Sequence, residues 1–293
     1  MGAVVDLGVS TAGLVTGLLV GLTGMGGGAL TMPLLTLVFG VPPLAAVSTD
    51  LVANAVTKPA GALVHLGRRT VDLGLVGWLC LGSLPCAAIG SVLAGYLGAQ
   101  AQGVLKVVAG AAVVLAAITL FARMYLDRVR IRSATPVRPR PLPTVVLGAA
   151  AGLVVGTTSV GSGSIVIVCL LLLQRQLTSA ELVGTDLVQA VPLVLVAAIA
   201  HLLVGDVDCT LVGALLAGSI PGVLAGALLS ARTPDPPIRV LLGSMLTLTG
   251  LVLLAVPVSV AVVPAVAVAV VAGAGLGVRP RPLVGVGNEG EPR

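Results

Sequence analysis

Four polar residues recur along one apolar stretch, residues 44–66, at spacings that place them on the same side of a helix. Asp50, Asn54, Lys58 and His65 fall within about 80° of arc when each residue turns the helix by 100°. If this helix lies in a membrane, the stripe must face protein or water, because a charge at the bilayer centre costs about 2.5–3.5 kcal/mol. Lys58 is therefore the leading candidate for holding an anion, with Asn54 beside it. A structural pair of Lys58 with Asp50, or with another helix, is the alternative.

A glycine-rich segment precedes this helix. Residues 24–29 read Gly-Met-Gly-Gly-Gly-Ala, which matches the G-x-G-x-x-A pattern of dinucleotide-binding folds, but neither a preceding strand nor a soluble βαβ unit is predicted around them. Between two apolar helices, Gly26, Gly27 and Gly28 instead predict a break that leaves backbone N–H groups free at a helix start, which favours an anion. Close helix packing through small residues is the alternative.

A second break of the same kind lies 135 residues further along the chain. It is richer in hydroxyl groups, because Thr157, Ser159, Ser162 and Ser164 all fall in or beside it. These hydroxyls could hydrogen-bond an oxyanion, or they could bond back to the carbonyls of their own helices.

The helix after the second break carries Asp186, Gln189 and His201 but no lysine. Gln189 is a candidate for substrate binding, so a site between the two polar helices would be chemically asymmetric. Asp50 and Asp186, together with His65 and His201, are candidates for proton coupling, since histidine titrates near neutral pH. For the histidines, a place at a helix end in the membrane interface is the alternative.

The composition indicates that these helices belong to a membrane protein. Of the 293 residues, 57% are hydrophobic and only 9% are charged, with a mean hydropathy of +1.15, whereas a soluble domain carries about 25% charge. Apolar stretches of about 20 residues, enough to cross the hydrocarbon layer as helices, follow one another closely. The predicted class is an all-α polytopic membrane protein embedded in the lipid bilayer. Its apolar segments are predicted at 8–22, 29–40, 44–66, 72–98, 102–121, 144–158, 163–175, 179–204, 209–230, 238–256 and 258–276.

Two pairs of these segments, 8–22 with 29–40 and 144–158 with 163–175, are too short to span comfortably. Each pair predicts a glycine-hinged hairpin that is either re-entrant or crosses the membrane twice, which gives about 8–9 spans in total. The arginine-rich connection at 122–143 is predicted to lie on the cytoplasmic side, because basic loops are retained there.

The chain also repeats itself. Over residues 49–95, 18 of 47 positions are identical to the residue 136 positions later, far more than this biased composition gives by chance. Each copy holds one hairpin and three single spans, an odd number of crossings, so the second copy is predicted to enter the membrane from the opposite side. Inverted repeats with interrupted helices are typical of secondary transporters, whose substrate sites lie near the midplane between the halves. The predicted organisation is a first repeat (1–121), a cytoplasmic linker (122–143), a second repeat (144–256), and an additional helix with a cytoplasmic tail (257–293).

Several kinds of function are excluded by motifs that the sequence lacks. The four cysteines lie in apolar stretches, with neither a CxxC pair nor a histidine at ligand spacing, so no metal site is predicted. A P-loop, the metalloprotease motif and the esterase motif are all missing, so neither a cofactor nor an enzymatic activity is predicted. The net charge of +5 is a topology signal and does not indicate a nucleic-acid partner.

The order of the motifs is similar to that of a known family. GLLVGLTGMGGGALTMPLL, AVSTDLVANAVTKPAGALVHLGRRTVDL and GSLPCAAIG, echoed later by GTTSVGSGS, LVGTDLV and GSIPGVLAG, resemble the sulfite exporter TauE/SafE family, also called the 4-toluenesulfonate uptake permease family. The likeness covers about residues 10–250. The resemblance implies an inner-membrane transporter of small sulfur-containing or organic anions such as sulfite, sulfoacetate or sulfonates. It also implies that the polar groups of the two breaks and of the two helices that carry Thr-Asp are the matching site positions.

The residues and the resemblance together predict a multi-pass carrier in the cell inner membrane, or plasma membrane, that moves a small anionic substrate by alternating access. A non-transporting membrane scaffold or assembly protein is one alternative, and a passive anion channel is the other. The sequence leaves the identity of the anion, the direction of transport and the coupling ion open, and it is compatible with a homo-oligomer.

Overall fold

The structure is a computed structural model that describes residues 2–23, 27–100, 102–129, 141–161, 163, 165–173, 177, 179–204, 207–230 and 235–277. Within these ranges the chain forms helices and contains no strand, which confirms the all-α class. Three of the predicted site residues, Gly26, Ser162 and Ser164, lie outside the described residues.

The described helices follow the predicted apolar segments closely. The first group is α1 (Gly2–Thr23), α2 (Gly28–Leu37), α3 (Pro43–Gly67), α4 (Leu73–Gln100) and α5 (Gln102–Val129). The second group is α6 (Pro141–Thr158), α7 (Ile165–Leu173), α8 (Ser179–Val204), α9 (Cys209–Ser230), α10 (Asp235–Leu253) and α11 (Val258–Gly277). One difference affects the site: α5 continues well past the predicted end at residue 121.

Within the described residues, five helices are long and apolar enough to cross a membrane. These candidate spans are Leu73–Gly98, Gln102–Leu126, Pro141–Thr158, Glu181–Val204 and Cys209–Gly226. Shorter apolar helices are found at Leu7–Leu22, Gly28–Leu37, Arg239–Leu253 and Val258–Val270. Many large apolar side chains are exposed on the outside of the bundle, including Leu203 and Leu228. A surface of this kind suits lipid, and the chain is a multi-pass membrane protein.

The backbone of the second break has dihedral angles that do not occur within an α-helix. Ser159, Gly161 and Gly163 have φ values of 59°, 110° and 114°, all in the left-handed region. The α6 helix therefore ends at Thr158, and α7 begins again at Ile165. The first break lies between Thr23 and Gly28, where α1 ends and α2 begins.

Glycine faces hold two pairs of helices in very close contact. In the pair α1 and α9, a Cβ added to Gly17 or Gly218 would lie less than 3 Å from a backbone atom of the other helix. In the pair α4 and α6, the same is true of Gly82 and Gly152. Gly17 and Gly152 are repeat equivalents, and so are Gly82 and Gly218. The two contacts are thus built from the same positions of the two copies.

Helices α3 and α8, which carry the polar residues, lie side by side and run in opposite directions. Ser48 near the start of α3 contacts His201 near the end of α8, whereas Gly61 packs against Leu187 near the start of α8. The polar stripe of α3 therefore faces another polar helix, and lipid is excluded from it.

Helices α5 and α10 also pair in opposite directions. Phe121 packs on Gly243, and Leu253 packs on Gly110. A continuous apolar core joins this pair to the rest of the bundle and includes Met32, Leu51 and Leu193, each of them fully buried.

Candidate functional site

Asp50 is a buried hydrogen-bond acceptor at the meeting point of three elements. The side-chain amide of Asn54, one turn further along α3, donates to Asp50 Oδ2 at 2.8 Å. The hydroxyl of Ser159, in the second break, donates to the same oxygen. The hydroxyl of Thr31, on α2, also lies within hydrogen-bonding reach of this carboxylate. Asp50 thus connects the first repeat to the break of the second.

Two buried cations face two buried carboxylates in the same region. Lys58 and Arg123 are each 7% exposed, Asp50 is 2% exposed and Asp186 is 1% exposed. Lys58 interacts electrostatically with Asp186 and also with Asp50, and Arg123 interacts with Asp186. The four formal charges sum to zero, which lowers the cost of holding ionised groups away from water.

The two breaks come together beside Asp50. A Cβ on Gly28 would lie less than 3 Å from the carbonyl oxygen of Ser159 and from the carboxylate of Asp50. No side chain fits at Gly28, so the glycine permits the start of α2 and the break after α6 to approach each other. The site therefore sits where the helix interruptions of the two repeats meet.

The second aspartate is held at a helix start in a comparable way. The backbone N–H of Gly163 donates a hydrogen bond to the carboxylate of Asp186. Gly163 is the repeat equivalent of Gly28, which lies against Asp50. In each repeat, a glycine at the break thus lies beside the aspartate of the same repeat. The backbone N–H of Gly163 is free of helical hydrogen bonding and bonds the carboxylate of Asp186 instead.

A small cavity of about 20 Å³ opens beside Asp50, between α1, α2, α3 and α9. Polar side chains line most of it. They are Thr16, Thr31, Asp50, Asn54, Thr57 and Ser219, and the remaining lining residues are Gly17, Gly27, Ala53 and Leu215. The cavity holds about one water-sized body.

The equivalent place in the second half is filled by a side chain. Gln189 occupies the position that corresponds to Ala53, and its amide donates to the hydroxyl oxygen of Ser83 at 2.8 Å. Ser83 is the equivalent of Ser219. At most of the other positions where the first half has a polar lining residue, the second half has an apolar one. Ala151, Val166, Ala190 and Leu193 are the respective equivalents of Thr16, Thr31, Asn54 and Thr57. The two halves thus share a scaffold but offer different surfaces.

The two histidines lie apart from Asp50 and Lys58. His201 is fully buried, with Nδ1 at 2.8 Å from the hydroxyl of Ser48 and Nε2 donating to the carbonyl of Gly156 at 2.9 Å. His65 lies in the last turn of α3, with Nδ1 at 2.9 Å from the hydroxyl of Thr70. Each histidine connects helix ends or neighbouring helices.

The structure brings most of the predicted site residues together. The group around Asp50 and Lys58 consists of Asn54, Gly27, Gly28, Ser159 and Asp186. Gln189 lies on the second-half side, against Ser83. Thr157 is directed away, because its hydroxyl bonds back to the carbonyls of Leu153 and Val154 on its own helix.

The sequence analysis missed several residues of this site. Arg123 was grouped with the arginine-rich linker, although α5 continues through it and buries it near Asp186. Continued helical spacing beyond residue 121 was the available signal. Thr16 and Ser219 were missed because they meet only through the packing of α1 on α9, for which the local sequence gives no sign.

The described part of the chain contains no group of three or more His, Cys, Asp or Glu side chains that could hold a metal ion together. The charged groups instead form mixed pairs of cations and carboxylates, an arrangement suited to binding and releasing an ion.

Comparisons with known proteins were made on the whole chain. The family model described as "Sulfite exporter TauE/SafE" matches residues 9–253. A protein of Bacillus subtilis strain 168 named "Probable membrane transporter protein YjnA" is 36% identical over 249 residues, which cover 83% of this chain and 97% of the relative. A second protein of that strain, "Probable membrane transporter protein YdhB", is 28% identical over 200 residues, covering 67% and 78%. No solved structure matches the chain.

Proposed function

This chain belongs to the sulfite exporter TauE/SafE family and is a membrane transporter, and we propose that it is a secondary carrier that moves a small anion of the sulfite or sulfonate type by alternating access. The family and the names of the relatives indicate a transporter rather than an enzyme. A location in the cell inner membrane, or plasma membrane, is part of the proposal.

The carrier mechanism requires two halves that can rock against each other, and we propose that the two repeats insert in opposite directions. The antiparallel pairing of α3 with α8 supports this, because these helices are repeat equivalents and would run the same way in a parallel repeat. The antiparallel pair α5 and α10 supports it in the same manner. With each hairpin counted as either re-entrant or double-crossing, the proposal retains about 8–9 spans.

The observation that carries the anion proposal is the pair of buried cations between the two breaks. Lys58 and Arg123 are both enclosed and both face Asp186. Buried charges are costly and are retained in membrane helices chiefly for function. We propose that an incoming anion takes over part of the charge pairing that Asp186 provides, so that Lys58 and Arg123 hold the substrate.

The proposed substrate site extends from these cations to the polar groups around them. Oxyanions are bound by hydroxyl, amide and backbone N–H donors in addition to cations. The proposed site consists of the residues predicted from the sequence that lie in this region, with Arg123 added: Lys58, Asn54, Gly27, Gly28, Ser159 and Gln189. Thr157, Gly26, Ser162 and Ser164 stay as predictions.

The proposed carrier also needs a second ion whose movement is coupled to that of the anion. Proton coupling was predicted at Asp50, Asp186, His65 or His201. The two aspartates are better placed for this than the histidines, because they interact directly with Lys58. We therefore propose that the ion coupled to the anion binds at a carboxylate of this pair.

The test uses the two lysines of the chain. Lys58→Ala is expected to lower sulfite uptake into proteoliposomes about 10–100-fold, because a buried charge-assisted contact is worth about 1.5–3 kcal/mol. Lys106→Ala, on α5, is the matched control and should leave the uptake rate within about twofold of the unchanged protein. Equal uptake by the Lys58→Ala variant would remove Lys58 from the site.

Two further measurements separate the alternatives. A scaffold or assembly protein has no ligand, so sulfite and small sulfonates would then fail to raise its thermal unfolding midpoint. A passive channel would never accumulate the anion beyond its electrochemical gradient, whereas a coupled carrier does so when a driving ion gradient is imposed.

A further inference from the structure

The cavity beside Asp50 is lined mostly by oxygen atoms whose lone pairs are available to a ligand. Thr16 donates its hydroxyl proton to the carbonyl of Ala12 at 2.9 Å. Thr57 donates to the carbonyl of Ala53 at 3.1 Å. Each hydroxyl has a single proton, so these two oxygens present only lone pairs to the cavity.

The other polar groups of the cavity have the same character. Thr31 lies between two acceptors, the carbonyl of Gly27 at 3.1 Å and the carboxylate of Asp50, and its proton is used on one of them. One of the two amide N–H groups of Asn54 donates to Asp50, and the amide oxygen is available as an acceptor. A ligand of this cavity therefore meets mainly oxygen lone pairs and one carboxylate, a lining that favours a cation.

Ser219 supplies the independent observation that a ligand is missing from this lining. Its side chain is 9% exposed, and its Oγ is buried without a hydrogen-bond partner in the described part of the chain. A buried hydroxyl without a partner carries a desolvation cost of about 1–3 kcal/mol. The Ser219 hydroxyl therefore lines the cavity and is available to bind a ligand.

The second half shows what kind of occupant this position takes. There the hydroxyl of Ser83 accepts a hydrogen bond from the amide of Gln189. In the first half, Ala53 replaces that glutamine, and the cavity opens in front of Ser219 instead. In the second half, the positively polarised N–H end of the Gln189 amide lies against Ser83. The equivalent position in front of Ser219 is therefore expected to suit a positively charged occupant.

We infer that this cavity binds a sodium ion that is transported together with the anion. Alkali cations are bound by carboxylate, carbonyl, amide and hydroxyl oxygens, and broken helices provide such sites in transporters. A volume of about 20 Å³ has room for about one water-sized body, which suits a single small ion. The inference rests on the proposed carrier function and names its coupling ion.

The charge balance connects the sodium ion to the anion. Lys58, Arg123, Asp50 and Asp186 sum to zero charge, and a monovalent anion together with Na⁺ keeps the enclosed site neutral. A sodium ion beside Asp50 also competes with Lys58 for that carboxylate. Lys58 then has more of its charge available for the anion, so each ion favours the binding of the other.

The experiment measures the thermal unfolding midpoint of the purified full chain at constant ionic strength. Chloride salts of sodium, potassium and choline are compared, and sodium is expected to raise the midpoint in a saturable manner. Ala53→Gln, which reproduces the filling of the second half, is expected to abolish this sodium effect. Thr31→Val, which reproduces Val166, is expected to weaken the apparent sodium affinity at least about tenfold. Thr249→Val, a partly buried site on α10 outside the cavity lining, is the matched control and should retain the full effect.

The outcomes separate this inference from the proposed function. Equal midpoints in sodium, potassium and choline would overturn the sodium site, and so would a full sodium effect in the Ala53→Gln variant. A potassium effect equal to that of sodium would overturn the assignment to Na⁺. Sulfite uptake that persists without sodium would overturn the coupling alone, because the anion carrier would still stand. Sodium binding without any anion uptake would instead contradict the proposed function.

Discussion

The two repeat-equivalent aspartates, Asp50 and Asp186, have contrasting surroundings. Asp50 accepts hydrogen bonds from the neutral side chains of Asn54 and Ser159, and a cavity opens beside it. Asp186 faces the cations Lys58 and Arg123, and the position that matches the cavity is filled in its half. The same scaffold position thus has different surroundings in the two halves.

This contrast shows how a duplicated fold can divide its chemistry. The packing of the two halves uses the same glycine positions twice, because backbone contact requires glycine in both copies. The lining residues are under no such requirement, and they diverged into a hydroxyl-rich surface and an apolar one. We propose that the anion binds on the side of Asp186 and that the sodium ion binds on the side of Asp50.

The largest difference between the halves is expected from neutralising each aspartate in turn. Asp186→Asn removes the negative charge that faces both Lys58 and Arg123. It should therefore lower the free energy of unfolding by about 3–5 kcal/mol. Asp50→Asn should cost only about 1–2 kcal/mol, because the asparagine oxygen still accepts from Ser159 and Asn54 and because Lys58 still interacts with Asp186. Thermal or chemical unfolding of the purified variants measures both losses.

Sulfite provides the internal control for this comparison. Because the anion can replace the missing carboxylate charge, saturating sulfite is expected to restore much of the stability lost by Asp186→Asn. It should restore little of the loss in Asp50→Asn, where the missing charge faces the cavity. Restoration of both variants to the same extent would show that the division between the halves is wrong.

The glycine contacts are expected to respond alike in the two halves. Gly82→Ala and Gly218→Ala each place a Cβ against the backbone of the partner helix, and each should lower the free energy of unfolding by about 1–3 kcal/mol. Gly77→Ala and Gly213→Ala are the matched controls, since an added Cβ meets nothing within 4 Å at either position. The controls should be neutral or slightly stabilising, by up to about 1 kcal/mol. A loss confined to one of the two contacts would break the equivalence of the scaffolds.

Much of the fold could be predicted because local residue types determine helix ends in an apolar chain. Glycine, proline and charge clusters mark where helices stop, and α8 and α9 run over the predicted residues. The grouping of Asp50, Asn54 and Lys58 was predictable for a similar reason, because helical periodicity alone puts them on one face.

The rest of the site depends on contacts between distant segments. Arg123 was assigned to a loop because charge was taken as the end of α5, whereas Asp186 provides the counter-charge that lets the helix bury it. Thr16 and Ser219 line the cavity only because α1 packs along α9, about 200 residues apart in sequence. These contacts between distant segments leave no periodic signal, so the sequence predicted Ser159 and Asp186 in the second half of the site but missed Arg123, Thr16 and Ser219.

The smallest expected difference concerns the threonines that precede the two aspartates. The hydroxyl oxygen of Thr185 accepts a hydrogen bond from the backbone N–H of Asp72 at 3.1 Å, which fastens the connection between α3 and α4 to α8. The equivalent oxygen of Thr49 is buried and has no hydrogen-bond partner among the described residues. Thr185→Val should therefore cost about 1 kcal/mol of unfolding free energy, because the N–H of Asp72 loses its partner. Thr49→Val should cost nothing or stabilise slightly, since it removes a buried hydroxyl that bonds nothing. Both variants are isosteric, so unfolding measured side by side isolates the hydrogen bond, and equal losses would mean that the two threonines have equivalent partners in solution.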